Sequence, residues 1–166
     1  HKADALLTQY PKVVIATTFA DCFPVLLFDS EARVIAVMHC SYKTILGDII
    51  AKTVLIAGKL KAYPENMWAV IGPGICKDCY EIKEDVRYCY AGYEEFLIES
   101  NGRIFADLKG LTVRKLSEAR IFEDRICAYE RCTCCYREND QSIYFSARRQ
   151  RSNPIEAGLA ALCMER

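Results

Sequence analysis

Cys22 and His39 are the pair of side chains best suited, by type and position, to do chemistry in this sequence. His39 is one of two histidines, and the other is His1 at the start of the chain. His39 is therefore the one interior side chain of the type that titrates near neutrality. It follows the apolar run VIAVM, where a buried strand meets a loop, and open α/β sheets carry their sites at such strand ends. Cys22 follows the run VVIATT and sits beside Asp21. If the strand VVIATT and the strand VIAVM are neighbours, the thiol and the imidazole converge. Together they make good ligands for zinc or copper. The same pair also serves as a nucleophile and its base. Spacing alone leaves both roles open, with Asp21 as an orienting partner or a base. On position alone, a core histidine with satisfied hydrogen bonds is as good a reading of His39.

Other reactive groups lie further along. Lys43 comes just past His39, and Arg148, Arg149 and Arg151 follow the run SIYFSA. Cations at strand ends suit phosphate or another anion. Gly72-Pro73-Gly74 is not a phosphate loop, because the Gly-Lys-Ser/Thr ending is missing. Cys76-x-x-Cys79 and Cys132-Thr133-Cys134-Cys135 contain enough thiols for a shared zinc site. Their separation far exceeds the usual gap of roughly 15–20 residues, so they are expected to be reduced, partly buried small side chains.

The elements that must position these groups read as follows. Residues 12–18 (KVVIATT), 24–28 (PVLLF) and 33–39 (RVIAVMH) predict three strands, continuous rather than alternating in hydrophobicity, so helices are expected on both faces. Asp29-Ser30-Glu31 predicts a turn. Residues 44–63 carry apolar positions at helical spacing, stopped before Pro64. A strand is expected at 67–71, a helix at 83–99, a tight turn at Asn101-Gly102, and a helix capped by Asp107 and reaching Ala119. Residues 126–129 and 142–147 read as strands, and the tail from Ile155 is ambiguous between strand and helix. The fold class is α/β (α+β), a layered mixed β-sheet with flanking helices in one domain.

Composition narrows the partners. Twenty-two basic residues balance 22 acidic ones, whereas a polyanion is usually met by a basic excess, so no nucleic acid is expected. No apolar run approaches the roughly 20 residues that span a bilayer, and no signal peptide is seen, so no membrane is expected either. Ten cysteines in a core-rich chain of 166 residues suggest reduced thiols and a cytoplasmic location, not a disulfide scaffold. The chain opens on His1 and runs at once into an apolar strand, which suggests an N-terminally truncated domain spanning 1–166.

The ordered segments ADALLT (3–8), TFADCFPVLL (18–27) and VMHCSYK (37–43) resemble the signature of the bacterial laccase-domain family, polyphenol oxidase-like proteins also known as purine nucleoside phosphorylases. IGPGICKDCYEI (71–82) is similar to that family's Ile-Gly-Pro-x-Ile-x-x-x-Cys-Tyr-Glu-Val segment, and FSARR (145–149) to its Phe-Phe-Ser-x-Arg-Arg stretch. Asp107-Leu108 and Cys132-Thr133 fall in the same order, so the resemblance covers nearly the whole chain. It implies a cysteine-hydrolase-like laccase-domain fold and one metal ion, Zn2+ or alternatively Cu2+, held by His, Cys and His. Two of those ligands fall on Cys22 and His39. The third belongs to a Gln-Val-His-Gly motif upstream of Ala3, which is absent here, and His1 does not match it.

The implied activity is phosphorolysis of purine nucleosides, with deamination of adenosine as a companion. Purine nucleosides and phosphate would be the substrates, Lys43 the phosphate-binding cation and Arg148 a second one, in a monomer or weak homodimer. Two departures stand out: Tyr42-Lys43-Thr44 replaces Trp-Arg-Gly, and Pro154-Ile155-Glu156 replaces Thr-Gly-Arg. Lysine keeps the charge but loses the guanidinium fork. The alternatives are a metal-free cysteine hydrolase using Cys22 and His39, or a divergent member without catalysis. A multicopper oxidase is disfavoured, since such a site needs many histidines.

Overall fold

The computed structural model describes residues 3–150 and 156–165; His1, Arg151, Pro154 and Ile155 lie outside them. The chain begins with strands β1 (Ala5–Thr8), β2 (Ile15–Phe19), β3 (Phe23–Asp29) and β4 (Val34–Cys40), then helices α1 (Tyr42–Leu46) and α2 (Ile49–Gly58). Next come β5 (Trp68–Ile71), β6 (Glu81–Ile82), α3 (Glu84–Arg87), β7 (Leu97–Ser100), β8 (Arg103–Ala106) and α4 (Leu108–Glu118). Strand β9 (Ile126–Ala128), the short hairpin β10 (Arg137–Glu138) and β11 (Gln141–Ser142), helix α5 (Ala147–Gln150) and strand β12 (Gly158–Leu162) complete it.

The central sheet has the order β1-β4-β3-β5-β9, antiparallel except for the parallel pair β5–β9. Its β3–β4 hairpin turns where the Asp29 carboxylate accepts the N–H groups of Glu31 and Ala32, each at 2.9 Å. The side-chain alternation of β4 sorts the two faces. Val34, Ala36, Met38 and Cys40, with Phe23, Val25 and Leu27, pack beneath Ile45, Ile50, Leu111 and Leu116 of the helices. Ile35 and Val37, with Leu26 and Phe28, meet Ile15 and Leu162 on the other side. Those last two residues belong to an antiparallel ribbon of β2 and β12. Both faces are covered, as the continuous apolar runs required, but helices cover only one of them. The architecture is mixed α+β.

Three elements differ from the sequence expectation. The helix expected over 44–63 is split at Asp48, whose left-handed backbone (φ 61°) ends one helix and re-aims the next. The helix expected over 83–99 breaks at Gly92 (φ 83°), whose N–H the Glu94 carboxylate accepts at 3.0 Å, and the chain continues into β7. Val86, Tyr90, Tyr93 and Leu97 all face the core at spacings that imitate a helix, which is why the pattern misleads. The strand expected over 142–147 survives only at Ser142, because Ile143 and Phe145 are exposed and the chain turns into α5.

The Asn101-Gly102 turn has positive φ at both residues (51° and 71°), the geometry of a tight hairpin loop. Asp107 caps α4 by accepting the Gly110 N–H at 2.8 Å. Asp107→Ala is expected to cost about 1 kcal/mol, read as a fall in Tm of about 2–4 °C. Asp107→Ser is expected to recover most of it. Among the described residues, no helix is long and apolar enough to cross a membrane.

Candidate functional site

One end of the central sheet collects nearly all the reactive side chains, and the strand directions explain why. β3 starts there, β4 ends there, and the parallel strands β5 and β9 both end there. Phe23 pairs with Cys40 and Pro24 with His39, which leaves Cys22 one residue beyond the last rung of the ladder. Cys22 and His39 therefore lie at the same end of the β3–β4 ladder. The first predicted strand contributes nothing to this placement, since it lies in the ribbon layer. Pro24 sits near the start of β3, and its carbonyl accepts the Gly72 N–H at 2.8 Å.

His39 is held on three sides. Its N–H donates to the Asp4 carbonyl at 2.8 Å, and its own carbonyl accepts the Thr44 hydroxyl at 2.8 Å. Thr44 also forms a reciprocal capping box with Ser41, so the start of α1 and the end of β4 are fixed together. The ring Nδ1 lies 3.5 Å from Asp4 Oδ1, at the outer edge of hydrogen bonding. A carboxylate on one ring nitrogen is how proteins orient a metal-ligating imidazole, and Nε2 would then be the ligand atom. Thiol and imidazole are the donor types of a borderline-soft ion, so the pair and its carboxylate fit zinc or copper.

Cys22 is half-buried. Burial, and after it the Asp21 carboxylate, push its thiol up to about 11. Tyr80 lies close by; burial, then Cys22 and Tyr42, raise its phenol well above the ordinary value. At neutral pH both groups are neutral donors unless a cation intervenes.

Asp21 is buried and has a left-handed backbone (φ 94°). Its Oδ1 accepts the Thr133 hydroxyl and its Oδ2 accepts the Arg148 N–H, each at 2.7 Å. Its carbonyl accepts the Ile75 N–H at 2.8 Å. It thus ties three segments to the residue before Cys22. The Arg148 guanidinium donates to the Glu81 carbonyl at 2.8 Å and lies over the Tyr80 ring. Lys43 is exposed on α1, beside a cleft of about 330 Å³ lined also by Asp4, Thr44 and Lys52. Lys43 therefore approaches the His39 side through Asp4, and Arg148 the Cys22 side through Tyr80. Arg151 lies outside the described residues.

The two cysteine groups, 59 positions apart at their extremes, also come together here. The sulfurs of Cys76, Cys79, Cys132 and Cys135 all lie within 4.8 Å of one another. The long separation in sequence is closed by the parallel pairing of β5 and β9. Parallel strands end at the same edge, and a further parallel bridge joins Gly74 to Cys132. Cys132 accepts N–H bonds at its sulfur from Cys76 and Cys134, at 3.2 and 3.3 Å. Burial opposes its ionisation, but these donors hold its pKa below the ordinary thiol value. Arg149 donates to the carbonyls of Thr133 and Cys134, both at 2.8 Å.

Asp4, Tyr80 and Thr133 carry parts of this arrangement that sequence reading did not single out. Asp4 and Tyr80 stand inside segments quoted for their resemblance, but nothing in their spacing says which group they face.

The family model described as multi-copper polyphenol oxidoreductase laccase matches residues 1–163. A purine nucleoside phosphorylase from Deinococcus radiodurans is 43% identical over 111 residues, covering 66% of this chain and 44% of that protein. Adenosine deaminase RL5, from an unknown prokaryotic organism, is 28% identical over 152 residues, covering 88% and 56%. The crystal structure of YlmD from Geobacillus stearothermophilus superposes with a TM-score of 0.88 at 25% identity, over 99% of this chain and 62% of that one. The chain thus spans about half the length of the curated relatives it matches.

Proposed function

Because the chain belongs to the multi-copper polyphenol oxidoreductase laccase family, we propose that it serves phosphorolysis of purine nucleosides, with deamination of adenosine as a second reaction. The observation that carries this reading is the end of the β3–β4 ladder, where Cys22 and an imidazole oriented by Asp4 stand together. Relatives named purine nucleoside phosphorylase and adenosine deaminase support it. Cys22 and His39 would hold Zn2+ or Cu2+, which when bound supplies Lewis acidity toward an oxygen of phosphate or water.

The remaining roles belong to the chain's own groups. Lys43 offers a point charge to phosphate at the cleft beside Asp4. Arg148 holds Tyr80 and the Glu81 backbone in place, with its guanidinium as a second cation near Cys22. In phosphorolysis a phosphate oxygen bonds to the anomeric carbon while the bond to the purine breaks. The electron pair leaves with the base, which takes up a proton. The Tyr80 phenol, still protonated at neutral pH, is our candidate donor.

A metal-free cysteine hydrolase is the weaker reading. Such enzymes need a thiolate, and Cys22 has its thiol pushed up to about 11.

Cys22→Ala and His39→Ala are each expected to lower inosine and adenosine phosphorolysis by on the order of 10²-fold or more, with an unchanged circular dichroism spectrum. Lys43→Ala is expected mainly to raise KM for phosphate. Full turnover in Cys22→Ala would sink the reading. Loss of activity to alkylation but not to chelators would favour the hydrolase.

A further inference from the structure

We propose that Cys76, Cys79, Cys132 and Cys135 hold a structural zinc ion, at a site separate from Cys22 and His39. Four sulfurs within 4.8 Å of one another are close enough to share one ion. A tetrahedral zinc with Zn–S bonds of about 2.3 Å has S–S edges of about 3.8 Å. Cys76 and Cys135 stand at 3.8 Å. A disulfide requires about 2.05 Å, and all ten cysteines are free. With sulfur as the only donor, the site excludes magnesium and calcium and selects zinc or iron.

The local backbone is built for the purpose. Each pair is a Cys-x-x-Cys turn: the N–H groups of Cys79 and Tyr80 fold back onto the Cys76 carbonyl at 3.1 and 3.0 Å, and Tyr136 onto that of Cys132 at 3.1 Å. The turns are coupled directly, because the Cys76 N–H points at the Cys132 sulfur. Such N–H donors stabilise thiolate sulfur in the way a carboxylate stabilises a ligating histidine.

Charge is balanced as well. Four thiolates around Zn2+ carry two excess negative charges. Lys77 and Asp78 within the first turn cancel, and Arg131 and Arg137 flank the second. Arg137 and Arg149 both donate to the Cys134 carbonyl.

Four protein ligands leave no open position, so the ion is a staple and not a catalyst. It joins two connections, from β5 to β6 and from β9 to β10, that have little regular structure of their own. Through Thr133 and Asp21 the second connection reaches the residue next to Cys22.

The test measures metal content and X-ray absorption on protein purified without chelators. One zinc per chain surrounded by four sulfurs at about 2.3 Å is expected once Cys22 and His39 are replaced, and any further metal in the unaltered protein belongs to that other site. The Cys22→Ala/His39→Ala double variant is expected to keep that zinc, which separates the staple from the proposed catalytic metal. Cys76→Ser/Cys135→Ser is expected to lose it, with a fall in Tm on the order of 10 °C. Cys79→His, which keeps four ligands, is expected to retain it. If the double serine variant does not fold, the unaltered protein decides: its four thiols should resist alkylation until a chelator strips the zinc. Iron in place of zinc among the four sulfurs, no metal in the unaltered protein, disulfides among the four, or a four-sulfur zinc retained by the serine variant would each overturn the proposal.

Discussion

Asp21→Ala is expected to cost about 3–5 kcal/mol of stability and to dislodge the segment that presents Cys22. The buried carboxylate holds the Thr133 hydroxyl and the Arg148 N–H, both at 2.7 Å. Removing it leaves two donors facing an interior with no acceptor, each costing about 1–3 kcal/mol. The φ of 94° strains any residue with a Cβ, Asp21 included, and alanine keeps that strain without the hydrogen bonds that offset it. The two contributions separate in a pair of variants. Asp21→Gly relieves the strain but not the lost bonds; Asp21→Asn keeps an acceptor and tolerates the backbone. The expected order in urea denaturation is native, then Asn, then Gly, then Ala. Equal losses for Gly and Ala would show that strain contributes nothing.

Gly74→Ala is the second large effect, expected to cost about 3 kcal/mol or more, at the upper end for overpacking. A Cβ there would stand 2.3 and 2.4 Å from two ring carbons of Phe23. Phe23 is 1% exposed, so its ring has nowhere to go. The residue opens β3 and pairs with Cys40, and any shift of it moves the end of the ladder carrying Cys22 and His39. Phe23→Leu in the Gly74→Ala background is expected to recover part of the loss, a non-additivity that marks direct contact. Thermal denaturation of the two single variants and the double variant measures it.

These two positions show where sequence reading reached its limit. Phe23 to Asp29 and Val34 to Cys40 were legible as strands because β-branched and apolar residues fill both faces. His39 was legible as a strand-end residue for the same reason, whereas Cys22 was read from the end of the first strand and stands just before β3. Gly72-Pro73-Gly74 could be excluded as a phosphate loop, but the reason for Gly74 is its close approach to Phe23, which only the packed chain reveals. Asp21 read as a chemical group beside Cys22, whereas its two oxygens are each occupied by a residue far along the chain.

The four cysteines are the clearest case. Spacing rules for zinc sites assume ligands joined by a short connection, and here the connection is a parallel strand pair. Residues 83–99 failed in the opposite way. Their period is real, but it records which side chains face the core, not how the backbone travels between them.

The ribbon of β2 and β12 has a consequence for how the chain is made. Ile15–Phe19 leaves the ribosome well before its partner Gly158–Leu162, which follows the other strands of the described residues. Until the late strand arrives, Ile35 and Val37 lie under half a cover, and β2 offers an unpaired edge. Closing so distant a pair is slow, because the loop entropy must be lost before the contacts form. The nascent protein thus passes through a stage with a sticky apolar face and an open strand edge, where chaperones would bind and aggregation would start. Substitutions in Gly158–Leu162 should accordingly lower the yield of soluble protein more than they lower the stability of what does fold.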